Sequence, residues 1–240
     1  MKIKINRYIN NEHMIEEFEI NNNNLLKALL EIKNQTDPSL AFRCGCKSGI
    51  CGSCAMRVNG VEKLACKSII NENDLIEPIK NRVVIKDLVV DTSRETIELK
   101  KVLSKTNTKI NEEISKNDIQ LIDVQSNCIL CNSCYSSCPI YEVNQEFLGP
   151  FVLTKALRYI NDKKSISNID ILSNIQSNGI WDCTLCSACT LVCPQNIDPK
   201  NDIMQLQNIS VQNGFENPNL KQFDMSFDND DFGGFNPNGF

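Results

Sequence analysis

Two cysteine runs in the second half of the chain constrain its fold more than any other feature. Both have the spacing C-x2-C-x2-C-x3-C-P, at residues 128–139 and again at 183–194. Thiols spaced in this way surround one face of an iron–sulfur cubane, and the fourth cysteine of each run ligates the other cluster. We therefore expect two [4Fe–4S] centres, one held by Cys128, Cys131, Cys134 and Cys193 and the other by Cys138, Cys183, Cys186 and Cys189.

This exchange of fourth ligands also predicts that each cluster ties the two runs together. A structural zinc site is the alternative, but two copies of so specific a run favour iron–sulfur clusters. A third possibility concerns only the second run, where Cys186 would be a bystander beside a [3Fe–4S] centre. Trp181 precedes that run, and we expect its ring to pack against the cluster.

A third cysteine group lies near the N-terminus, in the string "CGCKSGICGSC" at residues 44–54. Its C-x4-C-x2-C spacing, completed by a distant fourth cysteine, is the plant-type [2Fe–2S] pattern. Zinc, which usually takes two short cysteine pairs, fits the four-residue gap poorly. Cys44 does not fit the spacing, and we expect it to be a small buried side chain. The expected ligands are Cys46, Cys51, Cys54 and Cys66.

Hydrophobic patterns divide the chain into four parts: residues 1–92, a connector at 93–126, a helical domain at 127–212, and a tail at 213–240. The first part alternates strand and helix signals. "KIKINRYI" and "EEFEI" predict a hairpin, and "NNNNLLKALLEIK" predicts a helix capped by asparagine. Asn59-Gly60 suits the turn of a second hairpin. "VVIKDLVVD" predicts one last strand.

The remaining parts show helical and polar patterns. We expect the polar connector to be partly helical. Helices are predicted for "GPFVLTKALRYIND", where Pro150 stands near the start, and for "NIDILSNIQSNG", where Gly179 would be the C-cap. The tail is rich in Asn, Asp and Gly, a composition typical of disorder.

The composition of the chain argues against several classes of function and favours redox or metal chemistry. The chain has 240 residues, 13 Cys, 1 His and a net charge of -5. An acidic balance without a basic stripe gives no reason to expect nucleic acid. No apolar stretch is long enough to span a membrane, and the start lacks a signal-peptide core, so we expect synthesis in a reducing cytosol. There, regularly spaced thiols favour metal or redox chemistry over disulfides. His13 lies in a polar segment that we expect to be a turn, with no sign of ligand function.

Over residues 1–200 the chain resembles the iron–sulfur subunits of succinate dehydrogenases and fumarate reductases. The likeness rests on "LLKALLEIKNQTDPSLAFRCGCKSGICGSCAMRVNGVEKLAC", on "IEPIKNRVVIKDLVVD" and on "CPIYEVNQEFLGPFVLTKALRYIND". It implies an α+β chain in which a plant-type ferredoxin β-grasp domain precedes an α-helical, bacterial-ferredoxin-like domain with two clusters. The order of the two domains is more specific than either domain alone.

The resemblance also implies a function. Such a subunit relays electrons between a flavoprotein subunit with covalent FAD, which interconverts succinate and fumarate, and a membrane partner that handles quinone. No residue of the chain is arranged for acid–base or nucleophilic work, so we expect no substrate site of its own. The alternatives are a subunit serving another flavin dehydrogenase, of the glycolate or glycerol 3-phosphate type, and a non-enzymatic zinc protein.

Three departures from the common family pattern point to a subclass. Cys186 stands where common members have a non-ligating residue and a [3Fe–4S] centre. Glu142 and Val143 stand where many have a tryptophan near quinone, and Asn196 stands near a frequent histidine. The subclass implied is the methylmenaquinol:fumarate reductase type, with a [4Fe–4S] third centre and a cysteine-rich partner resembling heterodisulfide reductase. Such a complex lies on the cytoplasmic face of the membrane, or on the periplasmic face when a twin-arginine signal on the flavin subunit exports it.

Overall fold

The computed structural model describes residues 1–103, 112–166 and 168–219 of the chain. Most of the tail for which disorder was predicted, residues 220–240, lies outside the described residues. The described residues form a sheet half, which ends with the strands before residue 91, and a helical half, which begins at residue 93. Each half has its own apolar core, as expected for an α+β chain.

A mixed five-stranded sheet forms most of the first half. Its strand order is β2-β1-β5-β3-β4, with β1 parallel to β5 and the other pairs antiparallel. The strands are β1 (Lys2–Ile9), β2 (Glu12–Glu19), β3 (Ala55–Val58), β4 (Val61–Leu64) and β5 (Leu75–Glu77).

Both predicted hairpins are present, because asparagine and glycine supply the left-handed turns that they need. Asn10 and Asn11 have φ of 52° and 66° between β1 and β2, and Asn59 and Gly60 have φ of 49° and 81° between β3 and β4. The expectation that His13 lies in a turn is wrong, since His13 pairs with Tyr8 inside the first hairpin. Its ring bonds Asn6 at 3.0 Å on the exposed side of the strands.

Helix α1 (Leu25–Gln35) covers one face of the sheet. Its N-cap is Asn24, whose side chain accepts a hydrogen bond from the backbone N–H of Lys27, as the asparagine run predicted. Its buried residues follow the helical period and join the sheet's core: Leu25, Leu26, Ala28, Leu29 and Ile32. The loop that carries the first cysteine group begins soon after this helix.

The prediction of a single strand at "VVIKDLVVD" is wrong. The segment folds back on itself as β6 (Val84–Lys86) and β7 (Val89–Val90), with Asp87 at φ 49° in the turn. Asp87 is fully buried and bonds Arg7 Nε at 2.9 Å and the backbone N–H of Ala41 at 2.7 Å. Because a buried carboxylate needs such partners, the turn is held where Arg7 can reach it.

Helices make up the second half. They are α2 (Ser93–Val102), α3 (Lys116–Ser126), α4 (Ser133–Ser136), α5 (Pro139–Val143), α6 (Pro150–Ile160), α7 (Asn168–Asn174), α8 (Ala188–Leu191) and α9 (Pro199–Gln212). The central helix is α6, which begins at Pro150 as predicted and packs against α2, α3, α7 and α9. The connector is thus helical on both sides of residues 104–111, and Val102 belongs to the helical core.

The predicted glycine C-cap of α7 is wrong. The helix ends at Asn174, before Gly179, and Gly179 does not have a left-handed φ. Glycine is required there for another reason: a Cβ at position 179 would collide with the backbone carbonyl of Ile175. The chain therefore makes a close backbone contact that no other residue allows.

Polar contacts join the two halves. Ser136 Oγ accepts from the backbone N–H of Lys80 at 2.7 Å and donates to the buried carboxylate of Glu62 at 2.7 Å. Gln195 Nε2 donates to the carbonyl of Gly49 at 3.0 Å. Both contacts connect segments next to the cysteine groups, so the interface fixes how these groups lie relative to each other. Within the described ranges, no helix has the length and apolar character required to cross a bilayer.

Candidate iron–sulfur centres

The loop between α1 and β3 presents the first cysteine group near the surface. Cys46 and Cys51 are exposed, whereas Cys54 and Cys66 lie further in, with their sulfurs 3.5 Å apart. Cys66 arrives from the short 3-10 turn that follows the second hairpin. The four thiols that the spacing selected therefore belong to one loop and to the turn packed behind it.

Hydrogen-bond donors of the loop point at these sulfurs. The backbone N–H groups of Ser48 and Ile50 donate to Cys46 Sγ at 3.3 and 3.4 Å, and the N–H of Cys46 donates to Cys51 Sγ at 3.4 Å. The hydroxyl of Ser53 lies 3.1 Å from Cys51 Sγ. Donors of this kind stabilise anionic sulfur, and they are one of the determinants of a cluster's reduction potential.

The acidities of these thiols follow their surroundings. Hydrogen bonds from Ser48 and then Ile50 lower the pKa of Cys46 to about 6. Burial, with a contribution from Cys66, raises the pKa of Cys54 to about 11. The thiol of Cys54 therefore loses its proton readily only when a positively charged group binds it, as iron does.

Cys44 is exposed, so the expectation of a buried small side chain is wrong. The reason is its place in the loop, two residues before Cys46, where the chain has left the sheet's core. Spacing could not foresee this, because the burial of a loop residue depends on what packs over the loop.

The candidate inner cubane site lies within the helical half of the molecule. Its cavity has an empty volume of about 380 Å³, part of which opens to solvent. Phe151 and Thr154 of α6 form one wall of this cavity. The thiols that line it are Cys128, Cys131 and Cys134 of the first run and Cys193 of the second.

The outer cubane site has the complementary set of thiols. Its cavity, with an empty volume of about 320 Å³, is also lined by Phe147, Pro150 and Lys200. The thiols are Cys183, Cys186 and Cys189 of the second run and Cys138 of the first. Each run thus contributes three thiols to one cavity and its last thiol to the other, the grouping that the cysteine spacing predicted.

Burial dominates the acidities of both cubane sites. It raises the pKa of Cys128, Cys131 and Cys134, and it raises the pKa of Cys189 to about 12. Neighbouring thiols raise these pKa values further. Such crowded and buried sulfurs are neutral thiols unless cations replace their protons, which fits a site built to take iron.

The donor sets fit clusters better than single ions. Among the side chains that the structure describes, no group of three or more Cys, His, Asp or Glu could hold one metal ion. The thiols instead surround cavities, as the ligands of a cluster of several irons and sulfides would.

Sequence reasoning missed Ser133, whose hydroxyl lies 3.4 Å from Cys131 Sγ. It also missed Arg7, a structural residue of the sheet half, although a signal existed. Arg7 follows Ile3 and Ile5 on the buried face of β1, where an arginine requires buried partners. Those partners are Asp87, Glu16, Asp37 and Ser39.

Known families match both halves of the chain. Residues 2–96 match the 2Fe-2S iron-sulfur cluster binding domain, and residues 124–197 match the 4Fe-4S dicluster domain. Together these matches assign one [2Fe–2S] centre and [4Fe–4S] chemistry to the chain in the order predicted from the cysteine spacings.

Curated relatives decide the family. The fumarate reductase iron-sulfur subunit of Haemophilus influenzae is 34% identical over 232 residues, a match that covers 85% of this chain and 91% of the relative. The chain belongs to the family of fumarate reductase iron–sulfur subunits. The corresponding Escherichia coli subunit is 36% identical over 191 residues, covering 75% of this chain and 78% of the relative.

One further relative and one solved structure are also similar to this chain. The 8-methylmenaquinol:fumarate reductase iron-sulfur subunit of Wolinella succinogenes is 35% identical over 206 residues, which are 79% of this chain and 65% of the relative. A chain of the Mycobacterium smegmatis Sdh1 complex in the apo form has a TM-score of 0.81 at 21% identity, covering 90% of this chain and 97% of that one. The latter supports the fold alone. As an iron–sulfur subunit of this family, the chain is an electron-transfer component of an oxidoreductase complex.

Proposed function

We propose that this subunit relays electrons between a flavoprotein subunit with covalent FAD, which interconverts succinate and fumarate, and a quinone-reactive partner at the membrane. The observation that carries the proposal is the sorting of twelve cysteines into one site near the surface and two separate cavities. When bound, iron–sulfur clusters supply one-electron chemistry that no side chain of the protein has. The chain's own residues hold, orient and insulate the centres.

The proposed ligands are those that the spacing selected. Cys46, Cys51, Cys54 and Cys66 hold [2Fe–2S], and its exposed thiols suit exchange with a flavoprotein. The strand order with parallel β1 and β5, and α1 packed on the sheet, supports a plant-type β-grasp for this half. The inner [4Fe–4S] uses Cys128, Cys131, Cys134 and Cys193. The outer centre uses Cys138, Cys183, Cys186 and Cys189.

The outer centre is [4Fe–4S] in this proposal, because Cys186 lines the same cavity as the three other thiols. A cubane with three thiolate ligands holds its fourth iron weakly. The fourth thiolate retains that iron and lowers the reduction potential, since net charge is one of the main determinants. A low potential suits a partner with further clusters, of the cysteine-rich, heterodisulfide-reductase-like kind, or a low-potential quinone.

The subunit then acts as a peripheral component at the cytoplasmic membrane, attached through its partners. The membrane side follows the flavoprotein: it is cytoplasmic, or periplasmic when that partner carries a twin-arginine signal. A flavoprotein serving glycolate or glycerol 3-phosphate instead is not favoured, because the relatives that match most of the chain are named fumarate reductase subunits.

Purification of the native complex tests this proposal. We expect a flavoprotein with covalent FAD and a cysteine-rich subunit to co-purify, and fumarate reduction with a viologen donor to require the flavoprotein. The isolated, cluster-loaded chain should show neither succinate–dye nor fumarate–viologen turnover. Turnover by the chain alone, or visible absorption absent from an anaerobically prepared chain, would refute the proposal.

A further inference from the structure

The loop that carries the first cysteine group meets the first cubane run at Gly52. A Cβ atom at Gly52 would lie 2.7 Å from the carbonyl oxygen of Ile129 and 2.9 Å from Cβ of Cys131. Gly52 stands between the ligands Cys51 and Cys54, and Cys131 is itself a proposed ligand of the inner [4Fe–4S] centre. The backbones that carry the two sets of thiols therefore touch without an intervening side chain.

The surroundings give this contact little freedom. Ile129 and Cys131, although they belong to the helical half, pack against the apolar core of the sheet half. The hydrogen bonds of Ser136 with Lys80 and Glu62 hold the same interface. The group closest to an added Cβ is a backbone carbonyl, which cannot turn aside as the end of a flexible side chain can.

Next to the contact the interface is more open. A cavity with an empty volume of about 910 Å³ is lined by Gly52, Ile129 and Cys131 and also by the polar residues Arg43, Thr92, Thr96 and Asn132. The close approach thus occurs at the edge of this cavity, where the two cysteine-bearing loops meet.

We propose that Gly52 is a positioning residue for electron transfer: its missing side chain sets the gap between the [2Fe–2S] centre and the inner [4Fe–4S] centre. The inference rests on the proposed function, because it assumes both centres. Electron tunnelling slows exponentially as the gap between donor and acceptor widens. A side chain at this position must push the two loops apart, and the electron step between the centres slows accordingly.

The test compares Gly52→Ala with a matched control, Gly49→Ala, in the complete cluster-loaded chain. Both glycines belong to the same loop and have left-handed backbones, with φ of 72° and 85°, so both substitutions carry similar backbone strain. A Cβ at Gly49, however, would meet only the flexible side chain of Lys67 among its nearest neighbours, and the alanine keeps the backbone carbonyl that accepts from Gln195. Gly52→Asn is a second variant, because asparagine tolerates a left-handed backbone better than alanine does.

Four measurements are needed: iron and sulfide content, the potentials of the centres, their magnetic coupling in the fully reduced state, and the rate of electron equilibration after rapid photoreduction. We expect Gly52→Ala and Gly52→Asn to retain all clusters with potentials close to wild type. The equilibration rate between the first two centres should fall several-fold and their coupling should weaken. Gly49→Ala should match wild type in both.

Equal rates and coupling in wild type and the Gly52 variants would overturn the inference. So would loss of the [2Fe–2S] centre from both Gly52 variants but not from Gly49→Ala, because Gly52 would then serve to form the loop rather than to space the centres. Failure of the wild-type chain to bind clusters is a different result, and it would refute the proposed function itself.

Discussion

Leu130 and Leu185 occupy the same place in the two cubane runs and have the same left-handed backbone, with φ of 54° and 55°. Asn132 and Ser187 match as well, with φ of 66° and 68°, and each precedes a four-residue helix, α4 or α8. Two runs with the same cysteine spacing thus adopt closely similar loop backbones, although most of the residues between their cysteines differ.

The surroundings of the two loops differ strongly in burial. All four residues of α4 are buried, whereas in α8 only Cys189 is. Ser136, the last residue of α4, is 3% exposed, and its counterpart Leu191, the last residue of α8, is 85% exposed. The inner loop lies between the two halves of the molecule, and the outer loop faces solvent. In the proposed function, this contrast insulates the inner centre and leaves the outer centre accessible to a partner subunit.

The largest expected effect comes from removing equivalent ligands. Cys186→Val should convert the outer centre to [3Fe–4S], with a paramagnetic signal in the oxidised state and a higher potential, because its fourth thiolate is lost. Cys131→Val removes one thiolate from the inner centre in the same way and should in addition weaken the interface, since Cys131 packs against the sheet half. Low-temperature EPR of oxidised, anaerobically prepared protein measures both. A full-intensity oxidised signal in the wild type would contradict the assignment of Cys186.

The next effect concerns stability. Ser136→Ala leaves the buried carboxylate of Glu62 without a 2.7 Å hydrogen bond, so we expect it to destabilise the chain by about 1–3 kcal/mol. Leu191→Ala, at the exposed equivalent position, should change stability by less than about 0.5 kcal/mol. Urea unfolding followed by the fluorescence of Trp181 compares them. Similar shifts for both variants would mean that the two loops do not differ in burial as described.

A smaller effect on stability, which depends on pH, is expected from Asp202 behind the inner cavity. Asp202 is buried and accepts hydrogen bonds from Gln125 and Thr154, and burial raises its pKa above 3.8. The native state therefore holds this proton more tightly than the unfolded state does. The resulting cost to stability is absent below pH 3.8 and grows as the pH rises through the raised pKa.

Asp202→Asn removes this titration and keeps an acceptor for Gln125. Relative to wild type, the variant should gain stability as the pH rises. Unfolding free energies measured at several pH values check the sign. A difference between the two proteins that does not vary with pH would show that Asp202 does not titrate as described. Lys200→Gln, beside the outer cavity, is the comparison that should not reproduce this pH dependence.

The smallest effect concerns reduction potentials. The hydroxyl of Ser133 lies near Cys131 Sγ, whereas the outer loop has Ala188 at the equivalent position. Hydrogen bonds to cluster sulfurs favour the reduced, more negative state. Ser133→Ala should therefore lower the potential of the inner centre modestly, and Ala188→Ser should raise that of the outer centre. Redox titration monitored by EPR decides between this outcome and unchanged potentials.

The sequence alone determined the local features. Cysteine spacing selected the thiols that line each cavity, including the exchange of Cys138 and Cys193. Asn59-Gly60 set a hairpin, and Asn24 and Pro150 marked where helices begin. These features are predictable because they depend on residues close together in the chain, whose geometry is limited by short-range sterics and hydrogen bonds.

Only the tertiary structure decided the rest. The turn at Asp87 depends on Arg7, far away in the chain; the exposure of Cys44 depends on what covers its loop; and Gly179 serves a backbone contact rather than a helix cap. The same is true of the approach between Gly52 and Cys131, and of the different burial of two nearly identical runs. Burial and long-range contacts result from how whole elements pack, and a local pattern carries no record of which surface will cover it.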